Sequence, residues 1–168
     1  MPTPFDVQTD SPAGVEQVFA AFGDEGYWRD RIAEFGGGAT TLDRLEVDAD
    51  GAVSVSTTQD LRNDLLPGPL KKVFRGTLSV VRTEAWHRTG AESVQGSVTI
   101  SASGVPGSGM GTATVAAAPS GSQFRFTGTV EVKIPVVGGR VEKAICDQIV
   151  TEIPQLQRFT SDWIAQNG

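Results

Sequence analysis

Hydrophobic and polar positions divide the chain into three zones with different periods. In the first, Phe5 and Val7 alternate with polar neighbours, as a short strand would. Asp10-Ser11-Pro12 then offers a capping oxygen followed by a first-turn proline, so a helix is predicted to start there. Its apolar positions Val15, Val18, Phe19 and Phe22 follow the i, i+3, i+4, i+7 rule, and Gly23-Asp24 ends it while capping a second helix. In that second helix Trp28, Ile32 and Phe35 share one face, with Tyr27 beside them, and Gly36-Gly37-Gly38 stops it.

From Thr40 to Pro135 the period falls to two. Turn signals at Ala49-Asp50-Gly51, Thr89-Gly90, Gly104-Val105-Pro106-Gly107 and Ser120-Gly121 cut this zone into a meander of six antiparallel strands. Leu45 and Val47 alternate in the first of them, Val53 and Val55 in the second, Leu78 and Val80 in the third. Val94, Val98 and Ile100 mark the fourth, Met110 to Ala117 make a small-residue fifth, and Phe124, Phe126, Val130, Val132 and Ile134 mark the sixth. The other face of that last strand reads Arg125, Thr127, Thr129, Glu131 and Lys133, so one side is apolar and the other wet. Between Val55 and Leu78, the run Leu65-Leu66-Pro67-Gly68-Pro69-Leu70-Lys71-Lys72 is an irregular, rather apolar crossing. It reads as a packed surface loop, with a lid or a weak membrane contact as the alternative.

In the third zone Ile134-Pro135-Val136-Val137-Gly138-Gly139 leads into an amphipathic segment, Arg140 to Gln166. Apolar residues recur at Val137, Val141, Ile145, Ile149, Ile153, Leu156, Phe159 and Trp163, the period of one buried helical face. Thirty residues at about 1.5 Å each make a rod of roughly 45 Å, too long for a chain of 168 residues unless a curved sheet lies along it. The predicted fold class is therefore α+β: a seven-stranded antiparallel sheet wrapped around a long C-terminal helix, with two short helices after the first strand.

This order of elements, with the approach to the last helix from Ile134 to Gly139 and the run Lys133 to Gln148, resembles the START-related helix-grip superfamily (SRPBCC). That superfamily includes lipid-transfer domains, the birch-pollen allergen group, polyketide cyclases and coenzyme Q-binding proteins. Within it the likeness is to a poorly characterised actinobacterial branch of unknown function. The resemblance covers nearly the whole chain, read as one START-like domain over residues 1–168. It implies a cavity between sheet and helix that holds an apolar or amphipathic small molecule. It does not imply catalysis, since most members bind and only some react.

Composition narrows the partners. Fourteen Lys and Arg against twenty Asp and Glu leave a net charge of −6, and no stretch joins basic residues to aromatics as a nucleic-acid surface would. Nucleic acid is not expected as a partner. Cys146, the only cysteine, cannot form an internal disulfide, and Met1-Pro2-Thr3-Pro4-Phe5-Asp6 lacks the basic and apolar regions of a leader. The expected location is cytoplasmic. No run approaches the roughly eighteen apolar residues of a membrane span, so no stable membrane insertion is expected.

Candidate chemistry is sparse. One histidine, His87, and one cysteine allow a single nucleophile and base pair at most, but His87 stands at a strand end facing solvent and Cys146 suits packing at the edge of the helix stripe. No His, Cys or carboxylate spacing fits zinc, and neither glycine-rich run joins a strand to a helix as a phosphate cradle must. No metal and no cofactor are expected. Glu152 is more informative, because it falls seven residues after Ile145 and four before Leu156, on the apolar face. A carboxylate there would point into the cavity and need a partner, unless Pro154 kinks the helix and turns it outward. If Leu78, Val80 and Trp86 point inward, alternation also turns Arg82 and Glu84 inward, and Arg82 could pair with Glu152; a bulge would flip both to solvent.

The predicted lining is Trp28, Val55, Val80, Arg82, Glu84, Trp86, Val98, Ile100, Phe124, Phe126, Ile145, Ile149, Glu152 and Ile153. The aromatics equally suit a solid core, while the small residues Gly111, Ala113, Ala116 and Ala117 favour room. Three functions follow. The leading one is transport or sequestration of a hydrophobic or amphipathic small molecule. The second is a cyclase- or dehydratase-like enzyme with Glu152 as general base and Arg82 stabilising negative charge. The third is an interaction module, which a filled interior would favour.

Overall fold

The computed structural model describes residues 2–36, 39–61, 78–104 and 106–167. Gly37, Gly38, Val105 and the crossing from Leu65 to Lys72 lie outside them. The elements run β1 (Thr3–Ser11), α1 (Val15–Phe22), α2 (Glu25–Phe35), β2 (Ala39–Val47), β3 (Val53–Leu61), β4 (Leu78–Gly90), β5 (Ser93–Ser103), β6 (Gly107–Ala118) and β7 (Gly121–Val132). The last, α3, spans Gly138–Asn167 and runs unbroken through Pro154. The seven strands pair antiparallel in the order β1-β7-β6-β5-β4-β3-β2, so the first strand closes against the last. No helix among the described residues is long and apolar enough to cross a membrane.

Helix α1 starts later than its sequence suggests. Ser11 still pairs with Ser122 across β1 and β7, and the ladder keeps Asp10 and Ser11 extended. The Ser11 hydroxyl accepts from the Ala13 amide at 3.2 Å instead of capping a helix. The cap falls at Gly14, whose amide donates to Gln17 Oε1 at 2.8 Å. Asp24 does cap α2, its Oδ1 accepting from the Gly26 amide at 2.8 Å.

The buried face of α3 is not centred on its apolar stripe. Val141, Ile153, Leu156 and Ile164 are buried, but so are Glu142, Cys146, Gln157 and Thr160, while Ile145, Ile149, Phe159 and Trp163 are only partly covered. At about 100° per residue the buried face is turned by roughly 60° from the stripe. Two contacts explain the turn. Near its start, Glu142 accepts from the Thr3 hydroxyl at 2.7 Å and from the Val132 amide at 2.8 Å, joining α3 to β1 and β7. Farther along, α2 lies against the flank, with Phe35 edge-on to Phe159 and Tyr27 edge-on to Trp163, ring centroids 5.6 and 5.4 Å apart. The apolar stripe therefore divides its area between sheet and α2.

Strand β4 pairs without a shift from Leu78↔Leu61 to Trp86↔Val53, so alternation holds and Arg82 and Glu84 both turn inward. Opposite Trp86 on β5 stands Gly96, where a Cβ would lie 2.5 Å from the indole. Gly111 on β6 does the same for Phe126, at 2.6 Å. The small residues of β6 were expected to leave room; at Gly111 the space is taken by an aromatic ring.

Candidate functional site: a charged crevice beneath the long helix

Between sheet and helix the described side chains enclose one narrow crevice. Its walls are Phe22 from α1, Arg31 from α2, Arg82 and Glu84 from β4, Val98, Ala113, Phe124 and Phe126 from the sheet, and Ile153, Leu156 and Gln157 from α3. The space open to the centre of a water molecule is about 10 Å³, what a single water needs. This crevice is thus nearly filled, and its walls are partly charged.

Glu84 is 3 % exposed and accepts two hydrogen bonds, from Arg82 Nε at 2.9 Å and from the Trp86 indole at 3.1 Å. Burial alone would raise its pKa, but the Arg82 and Arg31 guanidiniums and these two bonds outweigh it and hold the carboxyl below its ordinary value. Strand geometry sets the pair: residues two apart share a face, so Arg82, Glu84 and Trp86 stack along one side of β4. Helix geometry sets Arg31. It follows Tyr27 by four residues and Trp28 by three, so its Nη1 donates to Tyr27 Oη at 3.3 Å and its guanidinium carbon lies 4.8 Å from the Trp28 ring centre. Burial disfavours its charge, but Tyr27, Glu84 and Glu152 more than compensate, and its pKa is raised. Tyr27 Oη in turn meets Thr160 Oγ1 of α3 at 2.7 Å, fixing α2 on the long helix.

Of the residues expected to line a cavity, the structure gathers Arg82, Glu84, Val98, Phe124, Phe126 and Ile153 around the crevice. Trp86 and Trp28 stand behind it, the first bonded to Glu84 and the second donating to the Phe22 carbonyl at 2.7 Å. Val55 is buried away from it, and Val80, Ile100, Ile145 and Ile149 are partly buried outside it. The expected pairing of Arg82 with Glu152 does not form. Arg82 is held by Glu84 on its own strand, whereas Glu152 lies about 80° round α3 from the centre of the buried face. It lines an open outer groove of about 540 Å³ with Glu34, Phe35, Asp147, Gln148, Thr151 and Gln155. His87 is exposed. Cys146 is buried, its thiol against the Thr3 carbonyl at 3.5 Å, and burial, with Asp147 and Glu142 nearby, pushes its pKa up, which suppresses thiolate chemistry.

Sequence reasoning missed Arg31 and Gln157. Polar residues on amphipathic helices read as solvent-facing, and the one signal for Arg31 was its spacing from Tyr27 and Trp28.

Comparison with known proteins matches this arrangement. A family model described as "Protein of unknown function (DUF2505)" matches residues 6–164. An uncharacterised protein of Mycobacterium tuberculosis is 35% identical over 173 residues, covering 99% of each chain. Among solved structures, a protein of Thermus thermophilus superposes with a TM-score of 0.59 at 14% identity, covering 99% of this chain and 100% of that one. Human STARD10 gives a TM-score of 0.53 at 12% identity over 98% of this chain and 64% of its own. A START superfamily protein of Mycobacterium smegmatis gives 0.50 at 12% identity over 99% of both. The fold is START-like.

Proposed function

This chain belongs to the family of proteins of unknown function DUF2505, and from that premise we propose that it binds an amphipathic small molecule in the crevice between sheet and α3. One observation carries the reading: a charged wall beneath the helix, the buried Glu84 with the partly buried Arg31 and Arg82, set in largely apolar surroundings. A fold whose purpose was only to be stable would be served as well by apolar side chains there, since a buried ion pair contributes little net stability. The START-like fold supports the same reading. With about 10 Å³ of free space, the described state is a closed one, and a ligand enters by displacing side chains.

Native mass spectrometry and organic extraction of the purified protein test this. A copurifying small molecule, or a melting temperature raised by lipid and polyketide-like probes, is the expected result. Failure of both ends the proposal. In that case the interaction-module reading takes its place, favoured by the tight fit of Trp86 on Gly96 and Phe126 on Gly111. The cyclase-like reading finds no support in the position of Glu152, which lines the outer groove. The lone buried cysteine suits a reducing cytoplasm.

A further inference from the structure

Arg31 differs from the other cation of the crevice in what it touches. Arg82 donates to a carboxylate, Glu84, at 2.9 Å. Arg31 has neutral direct partners among the described residues, the Tyr27 phenol at 3.3 Å and the face of Trp28. Glu84 and Glu152 act on it through their fields, but neither forms an ion pair with it. Among the described residues of the lining, two guanidiniums stand against the one carboxylate of Glu84, an excess of one positive charge. A guanidinium carries five N–H donors in a planar fork, and one of them is engaged on Tyr27.

A guanidinium partly withdrawn from water, whose direct partners among the described residues are neutral, gains from an anion that bonds to it directly. The planar fork matches a carboxylate through two parallel hydrogen bonds. An excess of one charge favours a monoanion over a dianion such as a phosphate monoester. A neutral alcohol would leave the excess in place, and an ammonium would worsen it. Apart from Gln157 the rest of the described lining is apolar, including Phe124, Phe126 and Ile153, so the remainder of the ligand must be apolar too. Ile153 faces the crevice and its neighbour Glu152 faces the outer groove, so Arg31 stands near the seam through which such a molecule would pass.

We infer that the crevice takes a monocarboxylic acid with an apolar body, its carboxylate received by the free donors of Arg31, with Arg82 and Gln157 alongside. This deepens the function proposed above and rests on it.

The test compares matched probes on the full chain by calorimetric titration, below their micelle concentrations: dodecanoate, dodecan-1-ol and dodecyltrimethylammonium, with 2-naphthoate and 2-naphthol as an aromatic pair. At least one acid is expected to bind about tenfold or more tightly than its neutral counterpart, and Arg31→Met is expected to erase that preference. Should Arg31→Met fail to fold, the preference among probes on the unaltered chain decides. Equal binding of acid and alcohol, tighter binding of the ammonium, or a preference that survives Arg31→Met overturns the inference and leaves the ligand-binding function standing. Binding of none of the probes overturns both.

Discussion

Two carboxylates are buried among the described residues, and they are satisfied in opposite ways. Glu142, at the start of α3, accepts from a hydroxyl and a backbone amide, both neutral, and forms no ion pair with a side chain among the described residues. Glu84, in the middle of the sheet, accepts from a guanidinium and an indole and sits in the field of a second guanidinium. The first arrangement is closed: each carboxylate oxygen has its donor, and the donors have nothing left over. The second leaves Arg31 with donors and charge to spare. A buried charge with neutral partners reads as a joint of the fold. One with a surplus of opposite charge reads as a place built to receive something.

Four outcomes sharpen or break this contrast. The largest effect is expected for Glu84→Gln, which leaves Arg82 and Arg31 without their carboxylate. Removing one side of a buried pair costs about 3 kcal/mol, a fall in Tm of roughly 6–12 °C for a chain of this size, measurable by calorimetry. A Tm within a degree of the parent would mean that Glu84 is not the anchor described. Gly96→Ala comes next. Its Cβ meets the Trp86 ring at 2.5 Å, and Trp86 is a donor to Glu84, so overpacking should cost about 1–3 kcal/mol. An unchanged urea midpoint would show that β5 yields without cost.

Glu142→Gln is expected to lower Tm by less than Glu84→Gln, because a new amide donor faces existing donors but no charge is stranded. If it costs more, the joint and the site have been assigned the wrong way round. The smallest effect is on pH dependence. The Thr3 and Val132 hydrogen bonds outweigh burial and hold Glu142 below its ordinary pKa, as the two guanidiniums do for Glu84. Both groups bind protons more weakly in the native state than in the unfolded chain. Their contribution is therefore present above about pH 4.3 and lost as pH falls through the lower native values. Urea unfolding at pH 7, 5, 4 and 3 should show stability falling below pH 5, with a shallower fall in either Gln variant. Equal slopes in all three would remove the linkage.

Most of the fold was legible because it depends on period. Strand alternation placed Arg82 and Glu84 inward, and the absence of a bulge in β4 up to Arg88 kept them there. The stripe of α3 gave the helix and its length. It did not give the rotation of about 60°, because Glu142, Gln157 and Thr160 count as polar in any hydrophobicity pattern, yet are buried. Two of these find partners far along the chain, Thr3 for Glu142 and Tyr27 for Thr160. The same blindness hid Arg31 and overvalued Glu152. Capping at Ser11 misled for a different reason: a local cap lost to a strand pairing more than a hundred residues away, Ser11 with Ser122.

That pairing of β1 with β7 also governs when the protein can fold. Nine residue pairs join Thr3–Ser11 to Ser122–Val130, and Glu142 and Cys146 tie Thr3 to α3 from farther still. A ribosome releasing the chain from its N-terminus makes the first strand long before its partner exists. The intervening meander, paired neighbour to neighbour, can assemble locally, but β1 must wait as an unpaired strand. Closing so long a loop is entropically costly and slow, which makes the arrival of β7 and α3 the step that commits the chain to its native state.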